Sequence, residues 1–108
     1  MERVYCDSTP NFKSGETIKW WCYIVECKDG SYYCGVAIDV FRRIISHNNG
    51  RGAKYTKGRG PVKLVLAVQF ESRSVAQQVE AAIKKVPKRK KVKFLQQKSE
   101  GRPVLPIT

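Results

Sequence analysis

An arginine and the chain's single histidine lie four residues apart, at Arg43 and His47, in a stretch of helical period. Asp39 supplies an N-cap, and the pattern predicts a helix over residues 40–48. At about 100° per residue, Val40, Phe41, Ile44 and Ile45 make its apolar stripe, while Arg42 and Ser46 turn to solvent. Arg43 and His47 then share the flank beside Val40 and reach the edge of the core as a pair. An ordinary solvated helix face has the same spacing, so the pair alone does not define a site. Residues 48–61 (NNGRGAKYTKGRGP) add four glycines with Arg51, Lys54, Lys57 and Arg59. Backbone amides and cations in such a loop suit phosphate, although a glycine-rich connection is weak testimony by itself. Glu80 is the only acid between Ser72 and Ser99. An i,i+4 pair with Lys84 accounts for it blandly, yet its place bordering an apolar helix face reads as positioned.

The elements that must hold these residues follow from period and punctuation. Trp20 to Cys27 is aromatic and β-branched, Asp29-Gly30 is a hairpin signal, and Ser31 to Val36 returns as a second strand. A two-residue turn at Asp29-Gly30 pairs Tyr23 with Val36 and sends Tyr23 and Tyr33 to opposite faces. A three-residue loop, Lys28-Asp29-Gly30 with Gly30 left-handed, pairs Val25 with Tyr33 and puts both tyrosines on one face. The residues alone leave both registers open. Pro61 leads into the clearest central strand, Val62 to Phe70. Ser74 and Gln77 form a capping box for a helix over residues 74–85, buried along Val75, Val79, Ile83 and Val86. Pro87 suits the first turn of a third helix, Lys88 to about Gln96. Residues 1–19 read as an arm, 20–97 as the domain and 98–108 as a tail.

The chain has 108 residues, which bounds it to one domain with a modest core. Its 21 Lys+Arg against 9 Asp+Glu give a net charge of +12. A charge that large favours a polyanionic partner, nucleic acid or an anionic membrane surface. Residues 40 to 70 contain no acid, and residues 84 to 93 hold seven cations, among them Lys84, Lys88 and Lys91. Two one-sided segments favour a nucleic-acid footprint over scattered solvation. No apolar run approaches a membrane span and no leader is apparent, which points to an intracellular protein. Cys6, Cys22, Cys27 and Cys34 form no Cys-x-x-Cys and have one histidine for company, a poor set for zinc. They read as reduced, structural cysteines.

Taken in order, these residues resemble the GIY-YIG nuclease domain, in particular its small stand-alone members. Trp21-Cys22-Tyr23-Ile24 resembles the first signature half and Tyr33-Cys34-Gly35 the second. Asp39-Val40-x-Arg42-Arg43-x-x-x-His47-Asn48 follows, then Gly50-x-Gly52-Ala53-Lys54-Tyr55-Thr56, Arg59-x-Pro61-Val62 and Glu80-x-x-Ile83-Lys84. Ordered agreement over residues 20–95 is far more specific than one short motif. The resemblance implies an α+β fold, a small three-stranded antiparallel or mixed sheet flanked by about three helices. It implies phosphodiester hydrolysis on DNA with one Mg²⁺ or Mn²⁺. Carried over, Tyr23 and Tyr33 line the site and one of them helps activate or orient water. Arg43 holds the scissile phosphate, His47 moves a proton or orients phosphate, and Glu80 binds the metal. Asn48, Arg51, Lys54, Lys57, Arg59, Lys84, Lys88 and Lys91 are expected to contact nucleic acid. The resemblance also selects the three-residue hairpin loop, because both tyrosines should share a face.

Trp21 and Cys22 replace the glycine and isoleucine of the first half, and Cys34 occupies the middle of the second. Val36 stands where some branches carry a lysine, whose role is absent here or falls to Lys54. Pro87 stands where many small members have serine, which should only stiffen the helix start. The expected activity is a DNA endonuclease, with branched, flapped or nicked DNA as options by family analogy. The alternatives are a catalytically inactive module that binds nucleic acid and a small basic protein of an RNA assembly. Retained Tyr23, Arg43, His47 and Glu80 argue against both, since binding needs neither a lone acid nor a tyrosine pair. Nothing in the sequence sets the oligomeric state or rules on a protein partner.

Overall fold

A computed structural model describes residues 18–49 and 61–106. The elements run β1 (Trp20–Glu26), β2 (Tyr32–Ala37), α1 (Val40–Asn48), β3 (Lys63–Phe70), α2 (Arg73–Lys84), α3 (Lys88–Gln97) and β4 (Val104–Leu105). The sheet order is β2-β1-β3-β4 and every pair is antiparallel. The α+β architecture and the antiparallel alternative for the sheet are therefore as expected, with one correction: a fourth strand is present. After α3 the chain returns to the sheet. Val104 and Leu105 pair with Val68 and Ala67, and Gln69 N–H donates to Pro103 O at 3.1 Å.

The hairpin between β1 and β2 adopts the three-residue loop. Val25 faces Tyr33, Cys27 N–H donates to Ser31 O at 2.7 Å, and Gly30 has φ +86°. That backbone region penalises any side chain with a Cβ, which explains glycine at this position. Asp29 Oδ1 accepts from both the amide and the hydroxyl of Ser31, at 3.0 and 2.6 Å, and pins the turn.

Strand alternation gives the sheet two unlike faces. On one, the helical face, Cys22, Ile24, Cys34, Leu66, Val68 and Phe70 pack beneath Ala76 and Ile83 of α2 and Leu95 of α3. On the other, the site face, Tyr23, Val25, Ala37 and Ala67 meet Val40 of α1 and Val62. Cys22, Cys27 and Cys34 are free and buried, and the Cys22 and Cys34 sulfurs are 3.7 Å apart. Among the described residues no helix is long and apolar enough to cross a membrane.

Asp39 caps α1 as expected, its Oδ1 accepting from Arg42 N–H at 3.1 Å. The stripe is rotated, however. Phe41 and Ile45 are 57% and 60% exposed, whereas Ser46 and His47 are buried. The inward face is thus Val40, Ile44 and His47, with Arg43 half-buried beside them. Apolar period alone cannot register that the sheet offers a polar partner to His47. A second correction concerns α2, whose cap is Ser72 rather than Ser74. Ser72 Oγ accepts from Val75 N–H at 3.2 Å, which leaves Ser74 and Gln77 exposed and turns Ala76 and Ile83 fully inward. For α3, Pro87 occupies the N-cap position and makes no side-chain capping bond.

Candidate active site

Tyr23 lies on the central strand and is 1% exposed. Its ring crosses toward β2 over Gly35, its directly paired partner. A Cβ at position 35 would meet the Tyr23 hydroxyl at 2.6 Å and Cζ at 2.8 Å. Glycine is required there because another residue's ring occupies the space. The Tyr23 hydroxyl reaches His47 Nε2 at 3.0 Å, and His47 is 1% exposed. Tyr33 completes a cluster of rings: its centroid is 6.4 Å from that of Tyr23 and 5.4 Å from that of His47. The Tyr33–His47 contact is edge-on and the Tyr23–Tyr33 pair is tilted, and edge-on contacts at such a separation are a favourable aromatic geometry.

Electrostatics follow from this burial. Desolvation holds the His47 imidazole down to about 4, and the Arg43 guanidinium adds to the effect. His47 is therefore neutral at pH 7. With its proton on Nδ1, Nε2 accepts the Tyr23 phenolic hydrogen. Burial raises the Tyr33 phenol, opposed by the cations Lys84 and Arg43 and assisted by Glu80. Groups from α1 and α2 thus converge on Tyr33 from two elements. Glu80, whose side chain is 20% exposed, holds Lys84 Nζ at 3.2 Å, and that ammonium lies 5.9 Å from the Tyr33 ring centre. Partial desolvation pulls Lys84 down, but Glu80, together with Tyr33 and Cys34, more than offsets it and its titration is raised.

The structure brings Tyr23, Tyr33, Arg43 and His47 together on the site face, with Glu80 and Lys84 arriving around the edge of β2. Other expected contacts are placed differently. The Asn48 amide bridges to Val62, Oδ1 accepting from its N–H at 2.6 Å and Nδ2 donating to its O at 3.4 Å. Asn48 thereby ties the end of α1 to the start of β3. Lys88 Nζ donates to Gly30 O and sits 4.8 Å from the Tyr32 ring centre. Lys91 Nζ donates to Ile83 O at 2.8 Å, closing the last turn of α2. Arg51, Lys54, Lys57 and Arg59 lie outside the described residues. Sequence reasoning missed the spatial role of Gly35, whose signal is visible only once the hairpin register is fixed.

Among the described residues no group of three or more His, Cys, Asp and Glu side chains gathers. A site built from Glu80 alone still fits a hard cation such as Mg²⁺, which binds through one or two carboxylates and keeps water and phosphate as its other ligands. It does not fit zinc, which needs nitrogen or thiolate ligands.

A small α+β domain with a tyrosine pair, a buried histidine, an arginine and a lone glutamate around one strand edge is the architecture of a nuclease-type domain. Residues 19–93 match the GIY-YIG catalytic domain, and the chain belongs to that family. Such domains act on nucleic acid and generally use divalent metal ions. The chain is 52% identical over 83 residues to the UPF0213 protein SSP2268 of Staphylococcus saprophyticus, covering 77% of this chain and 98% of that protein. It is 40% identical over 87 residues to the UPF0213 protein YazA of Bacillus subtilis, covering 81% and 88%. The solution NMR structure of the protein EF2693 from E. faecalis is similar at a TM-score of 0.52 and 38% identity, covering 73% of this chain and 84% of that one.

Proposed function

We propose that this protein is a metal-dependent DNA endonuclease selective for branched or interrupted DNA. The observation that carries the reading is the buried contact between Tyr23 Oη and His47 Nε2 at 3.0 Å. A neutral histidine kept from solvent is a proton acceptor, and a phenol on its nitrogen can pass a proton inward while orienting water with its oxygen lone pairs. Tyr33 closes the other side of that space. Arg43 supplies a permanent cation for the phosphate oxygens, on which charge grows as the bond to the leaving oxygen lengthens. Glu80 would hold the divalent ion, which when bound adds Lewis-acid stabilisation of phosphate charge. Lys84 would release Glu80 as the metal and the DNA enter and would turn toward phosphate.

A second reading, binding without hydrolysis, draws support from the Glu80–Lys84 ion pair, which occupies the carboxylate. The test is nicking of labelled duplex, flap and four-way-junction DNA with Mg²⁺ or Mn²⁺ against EDTA. Wild type is compared with Arg43→Ala and Glu80→Ala. The expected result is metal-dependent nicking that falls at least about 10³-fold in both variants, the loss expected for a phosphate clamp or metal ligand. DNA binding with no nicking of any substrate would favour the binding module. Nicking that survives Glu80→Ala would exclude Glu80 as the metal ligand.

A further inference from the structure

Lys84 and the cations of α3 divide into two classes. Lys84, Lys88 and Lys91 are committed within the molecule, to Glu80, to Gly30 O and to Ile83 O. Arg89, Lys90 and Lys93 are exposed, and α3 carries no acid with which to pair them. Their placement opposes the helix itself. Arg89 and Lys93 are like charges at i,i+4, and Arg89 and Lys90 sit in a first turn that already favours negative charge. A free solvated helix gains stability by exchanging any of them for an acid. What the arrangement does fit is phosphate: four residues of α3 rise about 6 Å, close to the distance between adjacent phosphates of one DNA strand.

α3 lies on the other side of the sheet from the candidate active site. Tyr23, Tyr33 and His47 lie on the site face, whereas α3 packs through Leu95 on the helical face. α2 supplies Glu80 and Lys84 at the edge of β2, and α3 packs beyond it against β3. A straight duplex that meets one face of a sheet does not also follow the helices on its other face without bending, and DNA resists bending on this scale. A branch point provides a second arm without that cost.

We infer that Arg89, Lys90 and Lys93 form a second phosphate-binding face that engages a second DNA arm while the first occupies the candidate active site. The inference rests on the proposed nuclease reading for its first arm, and its test separates the two. Arg89→Gln, Lys90→Gln and Lys93→Gln are combined in one variant. Folding is checked by circular dichroism, because removing like charges from a helix does not threaten it. Binding to a four-way junction and to a linear duplex of one arm's sequence is measured in EDTA across a salt series.

Three lost phosphate contacts lower the slope of log K against log salt by about 2–3. That loss is expected for the junction, with a change below about 1 for the linear duplex. No change on either DNA would make this a solvated face and overturn the inference. Equal losses on both would place these residues on a single track with the active site and also overturn it. If wild type nicks no DNA yet the junction-specific loss appears, the second face stands and the nuclease reading falls.

Discussion

On the helical face of the sheet, Ile24, Val68, Ile83 and Leu95 meet as hydrocarbon. On the site face, α1 presses a phenol and an imidazole against the same strands. The two surfaces share β1, whose residues alternate between them, yet they are stabilised in different ways. Each side chain buried on the helical face contributes about 1.5–3 kcal/mol without needing a particular partner. A hydrogen bond such as Tyr23 to His47 contributes about 1 kcal/mol net, while leaving either group buried without a partner costs about 1–3 kcal/mol. The helical face can therefore hold the molecule together, and the site face keeps the Tyr23 phenol and the His47 imidazole dry because each is matched to the other. Stability and chemistry occupy opposite sides of one strand.

The helical face is most sensitive at Leu95, which is fully buried. Leu95→Ala should lower the unfolding free energy by about 3 kcal/mol, read from denaturant midpoints, without changing nicking per folded molecule. Acid should probe the other side. His47 titrates near 4 in the fold against 6.5 ordinarily, so the unfolded chain binds the proton first. Stability from this group is complete above about pH 6.5 and is lost as pH falls toward 4, up to roughly 3 kcal/mol. The difference between the pH–stability curves of wild type and His47→Gln should show that slope. If the curves are parallel, the imidazole is not held neutral by the fold.

Gly35→Ala should be a smaller insult with a local signature. Its methyl enters the space of the Tyr23 hydroxyl, so a cost of about 1–3 kcal/mol is expected, with nicking falling more than stability because the ring moves off His47. Ser72→Ala removes the α2 cap and should cost about 1 kcal/mol by thermal denaturation. Because α2 carries Glu80, weaker nicking at limiting metal should accompany it. A cap with no effect on metal dependence would mean that α2 is positioned by the core alone.

Much of this was legible in the residues, for identifiable reasons. Asp39 marked the start of α1 by capping chemistry, and Arg43 and His47 were paired by helical spacing. The hairpin register needed a resemblance, since Lys28-Asp29-Gly30 suits two turns equally well. Phe41 and Ile45 were placed inward because hydrophobic period counts apolar residues and does not weigh a phenol waiting for an imidazole. β4 left no signal: two paired residues between Pro103 and Pro106 are too few for a period. The destinations of Lys88 and Lys91 depend on how α3 docks against the hairpin and α2, a tertiary fact that composition does not encode.

Among the described residues β2 has a neighbour on one side only, and β4 shields β3 at the opposite edge. An unpaired strand edge is a template on which another chain can extend the sheet, the usual beginning of aggregation. Here Lys84 and Lys88 lie over the rings of Tyr33 and Tyr32 on that strand. Two ammonium groups at the border discourage an approaching strand by repulsion and by the cost of stripping their water. The two lysines would then also serve as the guard that keeps the protein from assembling with itself.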